Sequence, residues 1–154
     1  MAAIAPAIEN LTLSITQEIH VRSSLAAAFA ALLEQMGPAN EGHDGRPMPM
    51  TIEPWPGGRW FRDLGDQNGH LWGHVQVIKP PVLIELSGPM FMSYPAINHL
   101  ELKLDEIAGG TKVILRHRAI GFLDPQHKEG VTQGWHALLD SIAGDFTKMS
   151  GTPA

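Results

Sequence analysis

The chain has 154 residues, 44% hydrophobic and 18% charged, with 11 basic and 16 acidic side chains and a formal net charge of −5. This balance excludes a disordered chain and fits one folded, soluble domain that buries roughly two-thirds of its unfolded surface. The absence of cysteine excludes a disulfide framework, a thiolate zinc site and a cysteine nucleophile, and the acidic balance without a basic run argues against nucleic acid and anionic membranes as partners.

Residues 1–11 lack both a charged start and a long apolar run, so neither a signal peptide nor a membrane anchor is expected, and the location expected is cytoplasmic. Residues 1–10 and 150–154 read as loose ends around a single domain over 11–149. From Leu11 to Val21 the apolar residues Leu13, Ile15, Ile19 and Val21 alternate with polar ones, which predicts a half-buried strand. Ser23 or Ser24 can cap the helix that follows, whose buried stripe is Leu25, Phe29, Leu32, Leu33 and Met36 and which ends at Gly37-Pro38.

Four short strands are predicted next: Met48 to Pro54, Arg59 to Leu64, His70 to Lys79 and, after Pro80-Pro81, Val82 to Ser87. In the third of these, Leu71, Val75 and Val77 read as the core face, with His70, Trp72, His74 and Gln76 on the other. In the second, Trp60 is expected inside with Leu64. The segment Gly88 to Pro95, with Met90, Phe91, Met92 and Tyr94, reads as an apolar loop that could be a lid, a plug or an interface. A hairpin follows. Asn98, Leu100, Leu102 and Leu104 share one parity of its first strand, and Val113, Leu115 and His117 one parity of its second.

Asp124 as cap and Pro125 at the first position open a last helix with a single stripe of Val131, Trp135, Leu138, Leu139, Ile142 and Phe146. Gly130 and Gly134, one turn apart, suggest close approach of this helix to another surface. The order strand, helix, six strands, helix predicts an α+β domain in which a long sheet curls around the last helix.

Little in the sequence points to catalysis. His70 and His74 are about 13 Å apart along one strand, too far to share an ion, and no His-Glu-x-x-His or carboxylate cluster occurs, so neither a metal site nor a cofactor is expected. No nucleophile elbow is present, and Gly57-Gly58 and Gly109-Gly110 read as hairpin turns. His117 alone breaks the apolar side of its strand. It reads either as a buried histidine with a polar partner, as the group that orients a ligand, or as an acid–base residue.

Three motifs carry a resemblance to a known family. Glu53-Pro54-Trp55-Pro56-Gly57-Gly58-Arg59-Trp60 is similar to the Pro-Gly-Gly-basic-aromatic hairpin of the family named after the C-terminal domain of the heat-shock-protein-90 ATPase activator. Gly73-x-Val75 with Ile78-x-Pro80-Pro81 is similar to its next strand and exit turn, and Gly134-Trp135-x-x-Leu138-Leu139 to its last-helix signature. From about Ile15 to Met149 the chain thus resembles the START/Bet v 1-like (SRPBCC) superfamily, and that activator family most.

The resemblance implies a helix-grip fold: an antiparallel sheet of about seven strands wrapped around a long C-terminal helix, with one shorter helix, or two, after the first strand. It further implies a cavity between sheet and last helix for a small apolar or amphipathic ligand. The residues expected there are Met50, Trp60, Val75, Val77, Met90, Met92, Tyr94, Leu100, Leu115, His117, Trp135 and Leu139. The alternatives are a cyclase- or hydrolase-like enzyme on the same cavity, with His117 as base, or an interaction module. In the latter case the partner is a second copy of the chain or, following the family's name, a chaperone.

Overall fold

Alternating apolar and polar residues build the first strand of the computed structural model, β1 (Thr12–Val21), with Leu13, Ile15 and Val21 buried. The structure describes residues 7–42 and 44–149, so the expected loose ends at 1–6 and 150–154 lie outside it, while Ile8–Leu11 form a single 3-10 turn. Ser24 caps α1 (Leu25–Met36) by accepting a hydrogen bond from the Ala27 amide. Ala28, Phe29, Leu32 and Met36 form its buried side.

Six strands follow: β2 (Thr51–Ile52), β3 (Arg59–Gly65), β4 (Asn68–Lys79), β5 (Leu83–Gly88), β6 (Ala96–Ile107) and β7 (Gly110–Gly121). They pair antiparallel throughout, in the order β1-β7-β6-β5-β4-β3-β2. The curved sheet closes around α2 (Pro125–Met149), which Asp124 caps by accepting from the Gln126 amide at 2.9 Å. All six residues of the predicted stripe on α2, from Val131 to Phe146, are buried. The architecture is the α+β helix grip.

The motif around Gly57-Gly58 has a local physical cause. Gly57 sits at φ +83°, and a Cβ on Gly58 would lie 2.0 Å from the Glu53 carbonyl oxygen, so only glycine turns the chain here. The Glu53 carboxylate accepts from both the backbone N–H and the guanidinium of Arg59, which holds its carboxyl below the usual range, and the guanidinium also stacks over Phe61 at 4.5 Å. The hairpin tip then bonds to Val75 of β4 through Gly57 and Gly58. Together these contacts fix Trp60 facing inward, fully buried, its indole N–H donated to the Met36 carbonyl at 2.8 Å.

Several sequence expectations are corrected. The strand expected from Met48 to Pro54 shrinks to Thr51–Ile52. Pro47 and Pro49 have no N–H to offer a ladder, and the amides of Met48 and Met50 bond instead to Asn40 and Gly37 past the end of α1. Leu64 is 53% exposed and does not join Trp60, because the register skips it between Asp63 and Gly65.

On β4, bulges leave Trp72 and Gln76 without partners in the ladder, so strict parity fails on both sides. Trp72 is turned into the core and Leu71 is exposed. Val77 pairs with Glu85 on the outer face, away from the core face expected for it. Gly130 and Gly134 have no close neighbour: a Cβ at either would meet nothing within 4 Å.

Candidate functional site

The polar centre of the core is assembled from three elements. His117 on β7 is fully buried, diagonal to Asn98 on β6, whose register partner is Ala119, and Trp135 reaches it from α2. The Trp135 indole N–H donates to His117 Nδ1 at 2.9 Å, and His117 Nε2 lies 2.6 Å from Asn98 Oδ1. An indole can only donate, so Nδ1 is bare and the ring proton sits on Nε2, donated to Asn98. Asn98 Nδ2 in turn donates to the Gly88 and Pro89 carbonyls, both at 3.2 Å, and contacts Met92 Sδ at 3.5 Å.

This chain of bonds ties α2, β6, β7 and the loop after β5 together through one buried imidazole. Burial pushes the His117 pKa down to about 4, so the ring is neutral at physiological pH. Both of its nitrogens are held by neutral groups. Among the described residues, no acid or base is bonded to it to complete a proton-transfer pair.

Beside this network lies a cleft of about 450 Å³. Its apolar wall is Trp72, Phe91, Val131, Trp135 and Leu138, and the polar groups around it include Asn40, Glu41, Gln126, His127 and Gln133. The aromatic rings form a connected series. Trp60 and Trp72 meet edge to face at 5.0 Å between centroids, Trp72 and Phe91 at 5.4 Å, and Phe91 approaches Trp135 at 6.4 Å.

The loop 88–95 forms part of the wall. It tucks onto the β4 bulge through a bond from the Met90 amide to the Trp72 carbonyl. That approach depends on glycine, since a Cβ on Gly73 would lie 2.6 Å from the Ser87 carbonyl oxygen and one on Gly88 2.5 Å from Gly73 Cα. At the start of α2, the Tyr94 hydroxyl lies 2.9 Å from His127 Nδ1 and the two rings stack at 5.4 Å, which joins the loop to the helix.

The residues expected to line a cavity are therefore divided. Of the twelve, only Trp135 lines the cleft. Met50, Trp60, Val75, Met90, Met92, Leu100, Leu115, His117 and Leu139 are buried in the packed core beneath and beside it, Tyr94 is half-buried at its edge, and Val77 faces outward. The open space lies along one flank of α2, between that helix, the loop after α1 and Trp72 with Phe91.

Sequence reasoning missed Trp72, hidden by the bulges, and Asn40, which sits in a loop with no periodicity. It also missed Asn98 as the partner of His117, although Asn98 shares its parity with Leu100 and the hairpin register places it diagonal to the imidazole. Gly130 and Gly134 line the cleft: the small residues keep space open there. Among the described residues, no group of three or more His, Asp or Glu side chains could hold a metal ion, and no helix is long and apolar enough to cross a membrane.

Sheet, helix grip and flanking cleft define a helix-grip protein of the SRPBCC superfamily. The family model described as Activator of Hsp90 ATPase homolog 1-like protein matches residues 45–146, a stretch containing all three motifs read from the sequence. The chain belongs to that family.

No curated protein matches the sequence significantly. Among solved structures, the chain is similar to protein CV1439 from Chromobacterium violaceum, at 14% identity and a TM-score of 0.66, covering 86% of this chain and 96% of that one. It is similar to CalU16 from Micromonospora echinospora, at 20% identity and a TM-score of 0.61, covering 92% and 76%. It is also similar to the di-domain ARO/CYC StfQ from the steffimycin biosynthetic pathway, at 12% identity and a TM-score of 0.65, covering 94% of this chain and 54% of that one. At these identities the likeness concerns the fold alone.

Proposed function

We propose that the protein binds a small apolar or amphipathic molecule in the cleft between α2, the loop after α1 and the Trp72–Phe91 wall. The observation that carries this reading is an open volume of about 450 Å³ faced by two tryptophans and a phenylalanine, with polar groups gathered around it. Trp72 and Trp135 show only their edges and Phe91 is half-buried, and this apolar lining is surface a ligand can cover, at about 25 cal/mol per Å² before association costs. The reading moves the ligand from beneath the helix stripe to the flank of the helix. An enzyme built on His117 finds no support in the geometry, because both ring nitrogens are occupied by Trp135 and Asn98.

Native mass spectrometry of freshly purified protein, followed by a thermal-shift screen of apolar and aromatic probes, tests the reading. A retained small molecule, or stabilisation by at least one ring-bearing class, is expected. Empty protein with no shift for any class contradicts it. A Gly134→Leu variant sharpens the test. Its Cβ meets nothing within 4 Å, so the side chain extends into the cleft without disturbing the core. The variant is expected to fold at least as stably as the parent, with a gain of up to about 1 kcal/mol from removing a helical glycine. Binding is expected to fall at least tenfold in the same screen.

A further inference from the structure

We infer that Asn98 is a positioning residue of the cleft: without touching a ligand, it holds Phe91 opposite Trp135 and so sets the wall that a ligand meets. The inference rests on the cleft being the ligand site. Phe91 and Trp135 both line the cleft but come from different parts of the chain, the loop after β5 and α2. Their rings approach to 6.4 Å between centroids at a 58° tilt, the loosest contact of the aromatic series, so the rings do not fix one another.

The loop does not hold itself in place either. Met90 takes φ +55°, a left-handed backbone that residues other than glycine adopt only where their surroundings impose it. Two sets of bonds impose it here. The Met90 amide donates to the Trp72 carbonyl at 2.7 Å, and Asn98 Nδ2 donates to the Gly88 and Pro89 carbonyls, both at 3.2 Å. Among the described residues, no other side chain bonds to the backbone of residues 88–92.

Asparagine suits this place because its two ends differ. Oδ1 accepts the Nε2–H of His117, whose Nδ1 accepts the Trp135 indole N–H, and this leaves Nδ2 to face the loop. Asn98 is fully buried, so water cannot stand in at either end. The side chain of Trp135 and the loop that carries Phe91 are thus both referenced to one buried amide. Linkage makes the effect mutual: a ligand seated against both rings keeps the loop down on Asn98.

Asn98→Asp at pH 8 tests the role, since a carboxylate still accepts from His117 but cannot donate to the loop. Cross-relaxation between the Phe91 and Trp135 ring protons is expected in the unaltered chain and expected to vanish in the variant. The same signal between Trp60 and Trp72, whose rings meet at 5.0 Å, is expected to persist and to report an intact core. In calorimetric titration, 2-naphthol is expected to bind the variant roughly three- to tenfold more weakly. A Phe91–Trp135 contact retained in the folded variant, or an unchanged affinity, overturns the role of Asn98 and leaves the cleft reading standing.

Should the variant fail to fold, hydrogen exchange in the unaltered chain decides. Saturating 2-naphthol is expected to slow exchange of the Asn98 side-chain amide at least about fivefold more than that of the Leu102 backbone amide, further along the same strand. Equal slowing of the two would mean that the ligand acts on the whole fold and not on the loop, and overturns the role. If 2-naphthol does not bind the unaltered chain at all, it is the cleft reading itself that fails, and this role falls with it.

Discussion

Between pH 7 and pH 4 the fold is expected to lose about 3 kcal/mol of stability through His117 alone. The ordinary imidazole pKa is 6.5, and burial lowers it to about 4 in the folded chain. Above 6.5 the ring is neutral both folded and unfolded, and the stabilisation is complete. Between 6.5 and 4 the unfolded chain takes up a proton that the folded one refuses, so stability falls as the pH falls, and below 4 the loss is finished. The cause is visible in the bonding: protonating Nδ1 would turn it from an acceptor into a donor facing the Trp135 N–H. Urea unfolding at a series of pH values measures the effect. The profile of His117→Phe, which lacks this titration, is expected to be flatter over the same window. Equal slopes in the two proteins would show that the folded ring protonates freely.

The second large effect concerns the tryptophans. Trp60→Ala is expected to cost roughly 3–5 kcal/mol, since a fully buried ring is removed and the Met36 carbonyl at the end of α1 loses its partner. Trp60→Phe keeps most of the ring and is expected to cost much less. Trp135→Ala leaves His117 Nδ1 without a donor and opens the cleft further, so it is expected to weaken both the fold and ligand binding. Trp60→Ala is expected to change binding little wherever it still folds. Chemical denaturation alongside probe titration separates the two roles. The same loss of affinity in both variants would contradict the division of labour.

The sequence made most of the frame legible, because the frame is set by local periodicity. The strict alternation in β1, β6 and β7 and the single stripe from Val131 to Phe146 each obey one period from end to end, and the structure follows them. β4 does not, because extra residues at Trp72 and Gln76 shift its faces twice, and a period-two reading cannot see a bulge. That failure hid Trp72, one of the three aromatic residues of the wall. The expected ligand residues are inward and bulky, and inward bulky residues fill a core. The cleft forms where glycines on α2 and a loop of irregular backbone leave room. Gly130 and Gly134 suggest close approach to another surface, but the space they leave depends on where the loop holding Asn40 lies, which no local pattern encodes.

The four tryptophans offer a direct test of where the ligand sits. Trp72 and Trp135 face the cleft, Trp60 is sealed in the core with its N–H on Met36, and Trp55 is exposed at the hairpin turn. Indole N–H resonances of the labelled protein, assigned by substitution, would be followed while 2-naphthol is added. Shifts at Trp72 and Trp135 that saturate together, with Trp60 and Trp55 unmoved, are the predicted result. Saturating shifts at Trp60 or Trp55 while Trp72 and Trp135 stay still would place the ligand elsewhere and contradict the assignment of the cleft.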